Sequence, residues 1–114
     1  MPKNINIDKL YLKSAKKVFK EHLDKCYQEF NRKIPYPNLI IRKMKTRWGV
    51  CNYKLNKNTL NLELIKKDTK YLDYVIIHEL AHFIYHNHNY KFWQLVEENY
   101  PNYKKIRKEL NEYK

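Results

Sequence analysis

His78–Trp93 reads HELAHFIYHNHNYKFW. Its first five residues place His78 and His82 four positions apart. On a helix that spacing sets both side chains on one face, one turn apart. Two imidazole nitrogens so placed can bracket one metal ion at about 2.0–2.1 Å. Glu79 is rotated about 100° around the helix axis from His78. From there it does not join the histidines as a ligand, but it can reach a water beside the ion. The spacing therefore divides two tasks: His78 and His82 hold zinc, and Glu79 accepts a proton. Leu72, Val75, Ile76, Leu80, Phe83 and Ile84 recur at helical steps as a buried stripe. The two histidines lie away from that stripe and aim at a second surface, as a cleft site requires.

A catalytic zinc has three protein ligands and one open position. The candidates for the third are His86, His88, Glu97 and Glu98. His86 sits two turns past His78, and positions eight apart on a straight helix are about 12 Å distant. His88 lies beyond a helix break expected at 87–89, where the chain can turn back over the ion, and it is the favoured ligand. His22 reads as a core-edge histidine.

Working outward, Asp68 or Thr69 can cap the histidine helix. Before it, Leu60, Leu62 and Leu64 alternate with polar residues, which predicts a strand over 59–65 with one buried face. Residues 38–44 (NLIIRKM) read as a strand, and 46–53 (TRWGVCNY) as a second strand or a bulged turn. Gly49 is the sole glycine, which predicts a positive φ or a close approach. A turn is expected at 56–58. The N-terminal pattern, from Leu12 through Ala15, Phe19, Leu23 and Cys26 to Phe30, is a one-faced helix. Asp8 is its candidate cap, and Pro35 and Pro37 stop it. After the histidines, a short helix carries Phe92, Trp93, Leu95 and Val96, and Pro101 closes that region. A last helix near 102–113 buries Tyr103, Ile106 and Leu110 and turns Lys104, Lys105, Arg107 and Lys108 outward. The fold class is α+β: an N-terminal helix, a small antiparallel sheet, the histidine helix and C-terminal helices, with residues 1–114 as one domain.

Composition narrows the setting. No apolar run approaches the roughly 20 residues that span a bilayer, so no membrane is expected. Met1–Asp8 is polar and no apolar segment follows, which predicts no secretion signal. Cys26 and Cys51 then read as reduced thiols in a cytoplasmic protein. The net charge of +12 favours polyanionic partners such as DNA or other nucleic acid. The competing source of that charge is a chain rich in Lys, Asn, Ile and Tyr, with its lysines spread along the length.

The segment HELAHFIYHNHNYKFW resembles the active-site segment of the YgjP-like and SprT-like zinc metallopeptidases. In their pattern a third histidine follows the second by six residues, and an aromatic pair comes after it. Here those are His88, Phe92 and Trp93. RKMKTRWGVC (42–51) resembles the family's R-W-G-S-C hairpin. The resemblance spans residues 42–110. It implies His78, His82 and His88 as ligands of one zinc ion, Glu79 as general base, and a protein or peptide substrate. Val50 stands where the family has serine, and Tyr85 stands where metzincins, with the same ligand spacing, carry glycine. The longer N-terminal β region and the cysteine-rich zinc ribbon of some relatives are missing.

The expected chemistry is attack of a zinc-activated water on a peptide carbonyl, with Glu79 moving the proton. Tyr85, Tyr90 and Arg47 are candidate donors to the oxyanion. The strand over 59–65 offers an edge for an extended substrate. Trp48 and Trp93 read as core or cleft wall. Two rival readings compete: a non-catalytic zinc module that binds nucleic acid, and a zinc hydrolase of a non-peptide substrate. The first needs a fourth protein ligand, from His86, Glu97 or Cys51.

Overall fold

The computed structural model describes residues 7–112. Helix α1 (Ile7–Glu29) is followed by strands β1 (Asn38–Arg42), β2 (Gly49–Asn52) and β3 (Lys57–Asn61). A 3-10 turn (Leu62–Lys66) leads to α2 (Thr69–Ala81), α3 (Tyr90–Asn99) and α4 (Tyr103–Asn111). The architecture is α+β. No described helix is long and apolar enough to cross a membrane.

The buried positions of α1, Ala15, Phe19, Leu23 and Cys26, follow the helical steps read from the sequence. Their face packs on α2 and the 3-10 turn. Asp73 of α2 fastens the two helices. Its Oδ1 lies 2.6 Å from His22 Nδ1 and 3.8 Å from Cys26 Sγ, and Lys25 stands 3.6 Å from Oδ2. His22 is thus tied to the helix interface, apart from the cleft. Asp8 lies inside the first turn of α1 and pairs with Lys43.

The sheet differs from the expected antiparallel one. Its order is β1-β3-β2, with β2 antiparallel to β3 and β1 parallel to it. The hairpin between β2 and β3 turns at Asn56, whose φ of 56° lies in the left-handed region that asparagine tolerates. Buried Asn61 explains how β2 reaches the far side of β3. Its amide nitrogen donates to the carbonyls of Met44 (2.9 Å) and Arg47 (2.7 Å), and its backbone N–H donates to Trp48 O (2.9 Å). These bonds hold the β1–β2 connection across the end of β3.

Asn61 also ends β3. Its Oδ1 accepts from Glu63 N at 3.0 Å and starts the 3-10 turn. The strand expected over 59–65 therefore stops at Asn61, although Leu60, Leu62 and Leu64 are all buried. β3 is the central strand, with both edges paired, so it cannot take a substrate strand. The free edge on the α2 side of the sheet is that of β2.

α2 is the hub of the fold. It packs against α1, α3, α4, β2, β3 and the 3-10 turn, and nine of its 13 residues are buried. Asp68 caps it by accepting from Lys70 N at 3.0 Å. The helix ends at Ala81, earlier than the expected break at 87–89, with bonds from Phe83 N to Leu80 O and from Ile84 N to Ala81 O tightening its last turn. Asn89 restarts the chain as α3, its Oδ1 accepting from Phe92 N.

Candidate metal centre

His78 projects from the last turn of α2, His82 is the residue that ends it, and His88 comes from the loop before α3. The Nε2 of His88 stands 3.1 Å from the Nε2 of His78 and 3.1 Å from that of His82. All three ligand atoms lie within 4.8 Å of one another. Three nitrogens held by one tetrahedral ion at about 2.0–2.1 Å would be spaced by about 3.3 Å. The cluster therefore fits one zinc ion.

Hydrogen bonding decides which nitrogens carry lone pairs. His82 Nδ1 is 3.0 Å from the Tyr85 carbonyl, which can only accept. Nδ1 is therefore the protonated nitrogen, and Nε2 of the neutral ring is bare. His78 Nδ1 lies 3.1 Å from the Tyr74 hydroxyl. Ligand imidazoles are commonly oriented through their second nitrogen in this way. Burial disfavours the charged form of all three rings. Burial first, then His82 and His88, pushes His78 down to about 3. Burial also lowers His82 and His88, aided at His88 by Arg107.

Aromatic rings fill the space behind the histidines. Phe92, fully buried, stacks on His82 with centroids 4.4 Å apart and meets His78 and His88 edge-on at 4.9 Å. Trp93 stacks on His88 at 5.6 Å and on Tyr103 at 5.4 Å. Trp93 thus backs His88 from outside the cleft, where it lines a separate hollow, whereas Trp48 lines the cleft itself.

Glu79 is buried beneath β2. A Cβ on Gly49 would come within 2.9 Å of Glu79 Oε2 and 2.8 Å of Val75 Cγ1. Gly49 has no positive φ, so close approach is the reason for glycine here. Burial raises the Glu79 carboxyl to about 8, against the opposing pull of Arg47. The histidines and Glu79 open on a cavity of about 580 Å³ between α2, β2 and α4.

The other candidates fall elsewhere. His86 is in the cleft but stacks on Tyr53, with centroids 3.5 Å apart, and stays out of the cluster. It fails because α2 has already ended, not because α2 carries it too far. Glu98 bonds Asn31 and Arg32. Glu97 and Tyr90 line a separate hollow. Tyr85 contributes its carbonyl, and of the three expected oxyanion donors only Arg47 lines the cavity. Two cleft residues escaped the sequence reading. Tyr74 could have been found as the residue one turn before His78. Arg107, read as outward-facing, could have been found as the residue one turn after buried Tyr103.

A model of the YgjP-like metallopeptidase domain matches residues 3–113. The chain belongs to the YgjP-like metallopeptidase family. Among solved structures, this YgjP-like chain is similar to the metallopeptidase zymogen jannalysin of Methanocaldococcus jannaschii. The two share 25% identity and a TM-score of 0.70, over 83% of this chain and 95% of that one. The zymogen of Pyrococcus abyssi abylysin shares the fold, with 24% identity and a TM-score of 0.71 over 81% of this chain and 90% of that one. Comparison with curated proteins gives no match.

Proposed function

We propose that this YgjP-like chain is a zinc-dependent peptidase in which His78, His82 and His88 hold one ion and Glu79 is the general base. The observation that carries the reading is the convergence of three imidazole Nε2 atoms, with a buried carboxyl group on the same cleft. Among the described residues no fourth histidine, cysteine or carboxylate joins the cluster. That supports an open catalytic site over a closed structural one.

When bound, zinc polarises the peptide carbonyl and acidifies the attacking water. Glu79 takes a proton from that water as its oxygen bonds the carbonyl carbon. Glu79 then gives the proton to the departing amine as the C–N bond breaks. Its burial keeps the carboxylate basic enough for the first transfer and acidic enough, once protonated, for the second. The unpaired edge of β2, from Gly49 to Cys51, is suited to an extended substrate strand. The +12 charge supports targets carried on nucleic acid.

The test compares wild type and Glu79→Gln, both loaded with equimolar zinc, on a denatured protein substrate. Wild type should cleave it, and the variant should lose at least about a hundredfold in rate. Equal cleavage by the variant, or none by the zinc-loaded wild type, would end the reading.

A further inference from the structure

The cleft carries positive charge that the chain does not itself neutralise. Arg107 of α4 lays its guanidinium over Trp93, with Cζ 4.8 Å from the ring centroid. The same group stands near the Tyr74 hydroxyl, one turn before His78 on α2, and its charge opposes the burial that raises that hydroxyl. Arg47 enters from the segment that precedes β2. Both arginines line the cavity that holds the histidines. Neither forms an ion pair among the described residues, whereas Arg32 pairs with Glu98 and Lys66 with Glu63. The one carboxylate lining the cavity is Glu79, which is committed to proton transfer.

The two arginines also stand towards the same end. Tyr53 follows β2 and His86 follows α2, and their stacked rings mark one end of the cleft. Arg47 lies before β2, and Arg107 stands near Tyr74, earlier on α2 than the histidines. Both therefore lie away from the Tyr53–His86 end of the cavity they line. A stacked arginine leaves its edge donors free, and that planar fork matches a carboxylate with two parallel hydrogen bonds. The Trp93 stack holds the fork in place before any ligand arrives, which reduces the entropy lost on binding.

We propose that Arg107, with Arg47, is a carboxylate receptor that selects substrates carrying an acidic group on that side of the scissile bond. The group is either an Asp or Glu side chain or a free C-terminal carboxylate. This selectivity rests on the peptidase reading above.

The test uses the zinc-loaded chain and two sets of synthetic peptides. In the first, blocked at both ends, one position is varied among Glu, Gln and Lys on each side of the cleaved bond. In the second, free of acidic side chains, the C-terminus is a carboxylate or an amide. A preference of about tenfold or more in kcat/KM for the acidic member is expected in one set, and that set identifies the source of the carboxylate. Arg107→Gln should bring the ratio near one, and Arg107→Lys should keep part of it. Arg47→Gln gives a second reading if Arg107→Gln does not fold.

No preference in wild type would overturn the proposal. So would an equal loss on acidic and neutral peptides in Arg107→Gln, because the arginine would then only orient Tyr74 and His78. If wild type cleaves nothing, the peptidase reading fails by itself. The receptor is then judged by calorimetric titration of the Glu79→Gln protein with the same peptides. Tighter binding of the acidic members sustains it, and equal affinities overturn it.

Discussion

Gly49 and Glu79 are packed so closely that the absent side chain of one makes room for the carboxylate of the other. A Cβ at position 49 would stand 2.9 Å from Glu79 Oε2 and 3.1 Å from its Cγ. A contact that short cannot persist, so Gly49→Ala must displace the carboxylate, Val75 or the strand. Misplacing a catalytic group by about 1 Å can cost a hundredfold in rate. Gly49→Ala is expected to lower kcat by about tenfold to a hundredfold while still binding one zinc, as read by metal analysis beside steady-state kinetics. Full activity would show that Glu79 does not need its present position.

The burial that raises Glu79 also makes it a liability to the metal-free fold. An unfolded glutamate releases its proton near about 4.3, whereas the folded carboxyl holds its proton up to about 8. Between those values the unfolded chain ionises first, so stability falls as pH rises and levels off above about 8. Glu79→Gln has no proton to lose. In thermal melts of the metal-free proteins, the advantage of Glu79→Gln over wild type should be small at pH 5 and larger at pH 8. A constant difference would mean that Glu79 ionises normally in the fold.

Tyr74 holds the far side of His78 through its hydroxyl, 3.1 Å from Nδ1. Tyr74→Phe keeps the ring, which meets His78 edge-on at 5.7 Å, and removes only the oxygen. Loss of such a partner costs about tenfold to a hundredfold in metal affinity. Chelator competition should show that drop, with the fold retained by circular dichroism. Unchanged zinc affinity would mean that packing against Phe92 alone orients His78.

Asn61 is the knot between sheet and site. Its side chain serves the carbonyls of Met44 and Arg47 and the amide of Glu63. Asn61→Ala leaves several of these groups unpaired in a part-buried position, at about 1–3 kcal/mol for each one that water cannot reach. Urea denaturation should show a loss of at least about 2 kcal/mol, and Asn61→Asp should not restore it, because a carboxylate cannot donate to the two carbonyls. Stability within error of wild type would refute the role of Asn61 in holding the connection that carries Arg47.

Periodic patterns were legible where one neighbour decides a residue's fate. The buried face of α1, the Asp68 cap and the leucines at 60, 62 and 64 follow from local sequence, because apolar side chains at regular steps leave water wherever the chain places them. The path of the chain between those points was less legible. Leu60, Leu62 and Leu64 satisfy a strand pattern, yet the strand ends at Asn61, because a buried amide captures backbone groups from a distant segment. Phe83 and Ile84 extend the apolar stripe past Ala81, so the end of α2 could not be seen in it. The parallel pairing of β1 with β3 was invisible for a similar reason: alternation reports a buried face, not which strand lies alongside.

The sequence alone determined the candidate donors: a four-residue histidine spacing with Glu79 between, and a third histidine beyond a helix break. Helical geometry makes those consequences local, and a local rule needs no fold. Only the tertiary structure decided what surrounds them. It brought His88 back to within 3.1 Å of the other two, buried Glu79 under β2, left Gly49 no room for a side chain, and set the exposed Arg107 on the lining of the cleft. Those outcomes depend on which elements pack on α2, and the burial and electric field at a group are properties of all its neighbours in space.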